Sequence, residues 1–266
     1  MRDLMTKAIE EERACAELTD DGHDCPTAEA IGRSSEALAA AELLSVSNDF
    51  IERAVAAHVL ATFVNGHGNR SQVKEAVALL ARMFEQGGNL HLEWSIVDAL
   101  RLAWERCALE PLLSRSQSHS ANVRKMVAMG LDGAMGDEST PAGIQALICL
   151  TDDTDTSVRD WATFALAYLA EDSPEIRTAL WARVEDPDYD TRCEALVGLA
   201  SRHELAVTLK VAEELGAESV GRLVVEAAKN LAEPALLESL QALEAWWDVD
   251  PELLKQAIQA CRPEKR

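Results

Sequence analysis

Apolar residues recur along this chain at three- and four-residue spacing, in segments broken by short polar turns. The clearest are SEALAAAELL (35–44), QVKEAVALLARMF (72–84), PAGIQALICL (141–150), PEIRTALWARV (174–184) and AVTLKVAEEL (206–215). That spacing places one apolar stripe on each segment and predicts amphipathic helices, designated A. After each comes a turn and a second helical segment, B, which carries a fixed frame. The frame reads Arg159-x-x-Ala162-x-x-Ala165-Leu166 and returns as Arg192-x-x-Ala195-x-x-Gly198-Leu199. Upstream it is Arg124-x-x-Val127-x-x-Gly130-Leu131 and Arg53-x-x-Ala56-x-x-Val59-Leu60. Copies without the arginine start at Glu93 and Val224, and a last one starts at Leu254.

Successive frames lie 30 to 40 residues apart, a period that signals stacked supersecondary units. At 100° per residue, positions −1, +3, +6, +7 and +10 from the frame arginine share one side of helix B. In the fourth frame these are Val158, Ala162, Ala165, Leu166 and Leu169. Small residues there admit close helix packing. One helical pair cannot bury its apolar face alone, whereas a stack buries a continuous core. The expectation is an all-α chain of about seven antiparallel helix pairs.

The Asp-x-Asp turns at 153–155 and 186–188, the Val-Arg pair and the Ala-x-x-Ala-Leu spacing resemble HEAT repeats, most of all the short bacterial HEAT-like class also seen in phycobilin lyases. The resemblance covers roughly residues 34–261 and implies a right-handed α-solenoid whose B helices line the concave face. It also implies a ladder in which Arg53, Arg124, Arg159 and Arg192 reach acidic side chains at the turns, with Asp155 and Asp188 as the acids. Glu93 and Val224 would interrupt it. Residues 1–33 are expected to form an N-terminal capping helix (about 2–17) and a loop (18–33), because LTDDGHDCPTAEAIGR breaks the pattern with Asp, Gly and Pro. Residues 262–266 are expected to form a tail.

Composition agrees with the periodicity. The chain is 48% hydrophobic with only 5% aromatic residues, so the helix formers Ala and Leu carry the apolar content. Its 46 acidic against 25 basic residues give a net charge of −21, a field that repels phosphate backbones and argues against nucleic acid. The six cysteines include no C-x-x-C and suggest no disulfide framework. The N-terminal segment lacks a secretory apolar core, and no apolar run reaches membrane-spanning length, so no membrane association and a cytoplasmic location are expected.

Eight acidic or hydroxyl residues in TDDTDTSVRD invite a metal reading. An EF-hand loop starting at Asp153 needs Gly at its sixth and Glu at its twelfth position, where this chain has Val158 and Phe164. Asp155 and Asp188 instead stand where an acidic N-cap would begin helix B. His23 and Cys25 beside Asp20, Asp21 and Asp24 find no second cluster to complete a four-ligand site. Gly66-x-Gly68 follows a helix and lacks the third glycine of a dinucleotide loop. H-E-x-x-H and G-x-S-x-G are both missing. No metal, no cofactor and no catalytic residue are expected.

The stripe opposite the core, at +1, +5, +8 and +12, is the remaining candidate. Position +5 reads His58, Asp98, Met129, Phe164, Val197 and Lys229, and neighbouring positions add Trp94, Asp160 and Asp132. Period alone leaves two placements for it: the floor of a groove, or packing between successive B helices. As a groove, Trp94, Asp98, Met129, Asp132, Asp160, Phe164 and Val197 would offer an apolar floor and acidic rim to a basic or amphipathic protein segment. The expected function is a non-catalytic protein-binding scaffold. The alternative, implied by the resemblance, is a phycobilin lyase- or isomerase-like enzyme with Trp94, Trp161 and Tyr168 near a tetrapyrrole.

Overall fold

The computed structural model describes residues 1–16 and 25–263, and among these every regular element is helical. The chain divides into two compact units, Met1–Ala146 and Leu147–Arg266. The first contains α1 (Arg2–Ala16), α2 (Pro26–Gly32), α3 (Ala37–Ser45), α4 (Phe50–Val64), α5 (Arg70–Glu85), α6 (Leu90–Arg101), α7 (Leu109–Leu113) and α8 (Ala121–Met135). The division falls inside α9 (Pro141–Leu150). The second unit continues with α10 (Thr156–Tyr168), α11 (Pro174–Arg183), α12 (Tyr189–Ser201), α13 (Thr208–Leu215), α14 (Arg222–Leu231), α15 (Leu237–Leu243) and α16 (Pro251–Ala260). Every frame lies on an even-numbered helix from α4 to α16. Within each unit, A helices pack on the B helix that follows, and B packs on the next B: α4 on α6 and α6 on α8, then α10 on α12, α12 on α14 and α14 on α16. This is an α-solenoid of HEAT-like helix pairs.

The turn before helix B is built the same way four times. A side-chain oxygen six residues before the frame arginine accepts the N–H two residues on: Ser47 from Asp49 (3.1 Å), Ser118 from Ser120 (3.3 Å), Asp153 from Asp155 (2.9 Å) and Asp186 from Asp188 (3.0 Å). The second residue of each pair then caps the helix. Asp49 accepts from the Ile51 N–H, Ser120 from Val123, Asp155 from Val158 and Asp188 from Thr191. The caps fill orphan N–H groups of the first turn, and the aspartates also meet the positive helix end.

Small frame residues at +6 have a steric cause. A Cβ on Gly130 would stand 2.6 Å from Arg101 Cβ, and one on Gly198 would stand 2.9 Å from the Ala167 Cα. Backbones of successive B helices approach too closely for a larger group.

One feature departs from the expected N-terminal organisation. Residues 26–32, expected in a loop, form α2, started by Pro26 at the first helical position and packed on α1 and α4. Its Ala28 and Ile31 are fully buried, so the apolar pair within PTAEAIG outweighs the turn signal of its Pro and Gly. The acidic stretch holding Asp20, Asp21, His23 and Asp24 lies outside the described residues.

Arg202, buried just beyond α12, ties that helix to the end of α10. Its guanidinium donates to the carbonyls of Leu166, Ala167, Leu169, Glu171 and Gly198 at 2.8–3.0 Å. Four of these are at or just past the end of α10, where carbonyls lack intrahelical donors. Arg202→Met is therefore expected to lower unfolding stability by about 3 kcal/mol, seen in urea denaturation followed by circular dichroism.

A candidate binding surface on the B helices

In the first unit the +5 residue of the first frame does not face solvent. His58 is buried, and its Nε2 lies 3.3 Å from Glu12 Oε1 of α1. The same oxygen lies 2.6 Å from Nε2 of His91, at the start of α6. Glu12 is wholly buried, so a carboxylate of the N-terminal helix joins imidazoles from two B helices. The signal was in the sequence: Met5, Ala8, Glu12 and Cys15 fall on one stripe of α1, and an acid on an apolar stripe demands a buried partner.

Trp94 and Asp98 line a cleft of about 320 Å³ with Cys25, Arg33, His58 and Leu102. Asp98 is held by Arg101 at 2.7 Å, and the Trp94 ring stands 6.4 Å from that of His58. Met129 is part-exposed and Asp132 exposed on α8. Trp94 thus belongs to the first unit, whereas Trp161 and Tyr168 belong to the second.

The frame arginines make two kinds of bond. Arg124, Arg159 and Arg192 return to carbonyls of their own turns: Ser118 and His119, Asp153 and Thr154, Asp186 and Pro187. Arg159 also grips Asp186 of the next turn with two bonds (2.9 and 3.0 Å), and Arg192 reaches Glu214 at 3.3 Å. Arg53 reaches the Gly87 carbonyl (2.8 Å) and Gln86 rather than an acid. The acid gripped by Arg159 is therefore Asp186, while Asp155 and Asp188, expected as ladder acids, are occupied as caps. Burial pushes the Asp186 carboxyl up, but hydrogen bonds from Arg159 and the Asp188 N–H outweigh it, and the net shift is downward.

On the second unit's B helices, three aromatic side chains of α10 run in series. Trp161 meets Phe164 edge-on at 5.6 Å between centroids, and Phe164 meets Tyr168 at 4.8 Å. Phe164 is 40% and Tyr168 47% exposed, large apolar surfaces left open to water. Carboxylates adjoin them. Asp160 is raised to about 6 by burial and then by Asp188 and Asp190. Glu194 of α12 is only 8% exposed, its Oε2 has no hydrogen-bond partner, and burial followed by Asp160, Glu226 and Asp190 pushes it up to about 7. Tyr168 is raised to about 12 by burial, then Glu194 and Glu226.

Phe164 and Asp160 therefore lie together on this surface, but Val197 does not join them. It is 1% exposed because α12 packs against α10 on one side and α14 on the other, which closes over a short side chain at +5. Phe164, on α10, is long enough to emerge. Glu194 stands at +2, a position the stripe had not included. The tryptophans divide as well: Trp247 is buried with its indole N–H on the Val220 carbonyl (2.7 Å), whereas Trp104 is 71% and Trp246 52% exposed.

This architecture, paired helices with B packed on B, is that of HEAT-like and armadillo-like repeat proteins. The chain is 30% identical to Protein YibA of Escherichia coli strain K12 over 169 residues, covering 60% of this chain and 59% of YibA. The match thus spans about three fifths of the length of the curated relatives, which include the same protein in strain O157:H7. The X-ray structure of YibA superposes with a TM-score of 0.71 at 21% identity, over 97% of this chain and 95% of that one. A designed armadillo repeat protein in complex with the peptide (KR)4 superposes with a TM-score of 0.53 at 17% identity, over 86% of this chain and all of that one. No protein-family model matches. No helix among the described residues is long and apolar enough to cross a membrane.

Two stability measurements follow from these buried carboxylates. Glu12→Ala removes the acid between His58 and His91, and is expected to cost about 3 kcal/mol and to speed hydrogen exchange in α1. Glu194 behaves oppositely. Its carboxyl titrates higher in the folded chain than in the unfolded one, so its contribution is full below the ordinary glutamate value of about 4.3 and is lost as pH rises through about 7. Glu194→Gln should be near-neutral at pH 4 and stabilising at pH 8, on the order of 2 kcal/mol, in paired urea titrations across that range.

Proposed function

We infer that the protein is a non-catalytic interaction scaffold that binds a basic segment of a protein partner on the B-helix surface of its second unit. The observation that carries this reading is the Trp161–Phe164–Tyr168 series, exposed at Phe164 and Tyr168, beside Asp160 and Glu194. Aromatic anchors next to uncompensated carboxylates offer both halves of what a lysine- or arginine-bearing chain needs: apolar area for the stems and negative charge for the heads. The net charge of −21 steers such a partner toward the molecule. The designed armadillo protein, whose fold this one shares, is in complex with (KR)4, a peptide of that chemistry.

The same peptide is a direct probe. (KR)4 is expected to bind the full chain at about 0.15 M salt, with a change in tryptophan fluorescence. The double variant Phe164→Ala/Tyr168→Ala should weaken it by about tenfold, as expected when aromatic anchors are truncated. Unchanged affinity in a variant that keeps its helical circular dichroism would move the binding surface elsewhere.

A further inference from the structure

We propose that Glu194 is the base of a receptor for one arginine side chain of the partner, the guanidinium being held among Glu194, Asp160 and Glu226 and against the ring of Tyr168. This rests on the reading of the second unit as a basic-segment binder and names the chemistry at its centre.

The argument begins with an unmet requirement. A buried carboxylate is ordinarily supplied with donors, because an unsatisfied one costs several times a normal hydrogen bond. Glu194 is more than nine-tenths buried, yet its Oε2 meets no donor. The groups that act on it are further acids from all three neighbouring B-helix positions: Asp160 of α10, Asp190 of its own helix and Glu226 of α14. Tyr168 stands beside them, within the influence of Glu194, Glu226 and Arg222. The cation at hand, Arg222, is committed to Glu226 (2.9 Å) and Asp250 (3.3 Å). Equivalent interior sites in the same unit are resolved internally, as Asp186 is by Arg159 and Arg183. Among the described residues of this unit, Glu194 is thus the buried acid with an oxygen that no donor meets, and it lies beside the exposed Tyr168.

The missing donor must be cationic, to offset several carboxylates, and must tolerate loss of water. A guanidinium fits better than an ammonium. It is less strongly hydrated, presents forked N–H groups that can serve carboxylates on adjacent helices, and stacks flat on an aromatic ring. Its arrival would favour the ionised form of Glu194 and Asp160. Glu194, raised to about 7, shares a proton at neutrality, and Asp160, raised to about 6, does so in the mildly acidic range, so binding should expel protons into solution and strengthen as pH rises from 5 to 8.

The test is calorimetric titration of the full chain with (KR)4, with the same octapeptide carrying lysine at every arginine, and with one carrying citrulline there. Each is run at pH 7 and about 0.15 M salt, in two buffers of different ionisation enthalpy. For wild type, (KR)4 should bind about tenfold more tightly than either analogue and release protons. In Glu194→Gln, (KR)4 should weaken about tenfold and proton release should fall markedly, while the lysine peptide weakens much less, so that the preference for arginine over lysine disappears. The glutamine variant retains the neutral form's shape, and circular dichroism with urea unfolding checks that it folds. Equal binding of arginine and lysine peptides, unaffected by Glu194→Gln, would overturn the receptor and leave the basic-segment reading standing. Failure of every basic peptide to bind wild type would overturn both.

Discussion

The fold turns on how the chain enters each B helix. Reversing direction between two packed helices exposes carbonyls and orphan N–H groups at a place where neighbouring pairs must stack. The chain meets this with one side chain bracing the turn, a second capping the helix, and, in three of the four turns, an arginine whose guanidinium returns to the turn's own carbonyls. Once the turn is fixed, the entry angle of helix B is fixed too, and the frame residues fall on its packing side. Arg159 then spends its remaining donors on Asp186, so that bracing one turn also joins it to the next.

Close stacking of the B helices has a second effect. It leaves no room for a larger group at Gly130 and Gly198 and encloses Val197 at +5, so the surface is written by the few residues long enough to clear it. Phe164 and Tyr168 clear it; Val197 does not. The polar groups enclosed by the same packing divide sharply. Arg202 and Asp186 are furnished with partners from their own unit, whereas Glu194 sits among like charges.

Much of this was legible in the sequence, because helical period and frame spacing report packing directly. The seven B helices coincide with the seven frames, and the A segments with their helices. What escaped depended on chemistry that spacing does not distinguish. Ser47-x-Asp49 and Ser118-x-Ser120 build the same turn as Asp153-x-Asp155, since a hydroxyl and a carboxylate can both accept the N–H two residues on. A search for paired aspartates finds only half of these turns. Helix α2 was hidden because a proline at a helix start looks like a proline in a loop. Glu194 was passed over because stripe assignment at 100° per residue placed +5 on the surface and did not consider +2. Both Val197 at +5 and Glu194 at +2 are buried, which depends on how closely α12 packs on α10 and α14.

Glu12 also imposes an order of events. It belongs to α1, but one of its partners lies 79 residues further along. At a synthesis rate of roughly 5–20 residues per second, about 4–16 seconds pass before His91 has even been made. During that interval α1 can pack on α2 and α4, but its buried carboxylate lacks one of the two imidazoles that meet it. Helix α1 therefore precedes these repeats in sequence but is completed late, once α4 and α6 both exist to receive its buried carboxylate.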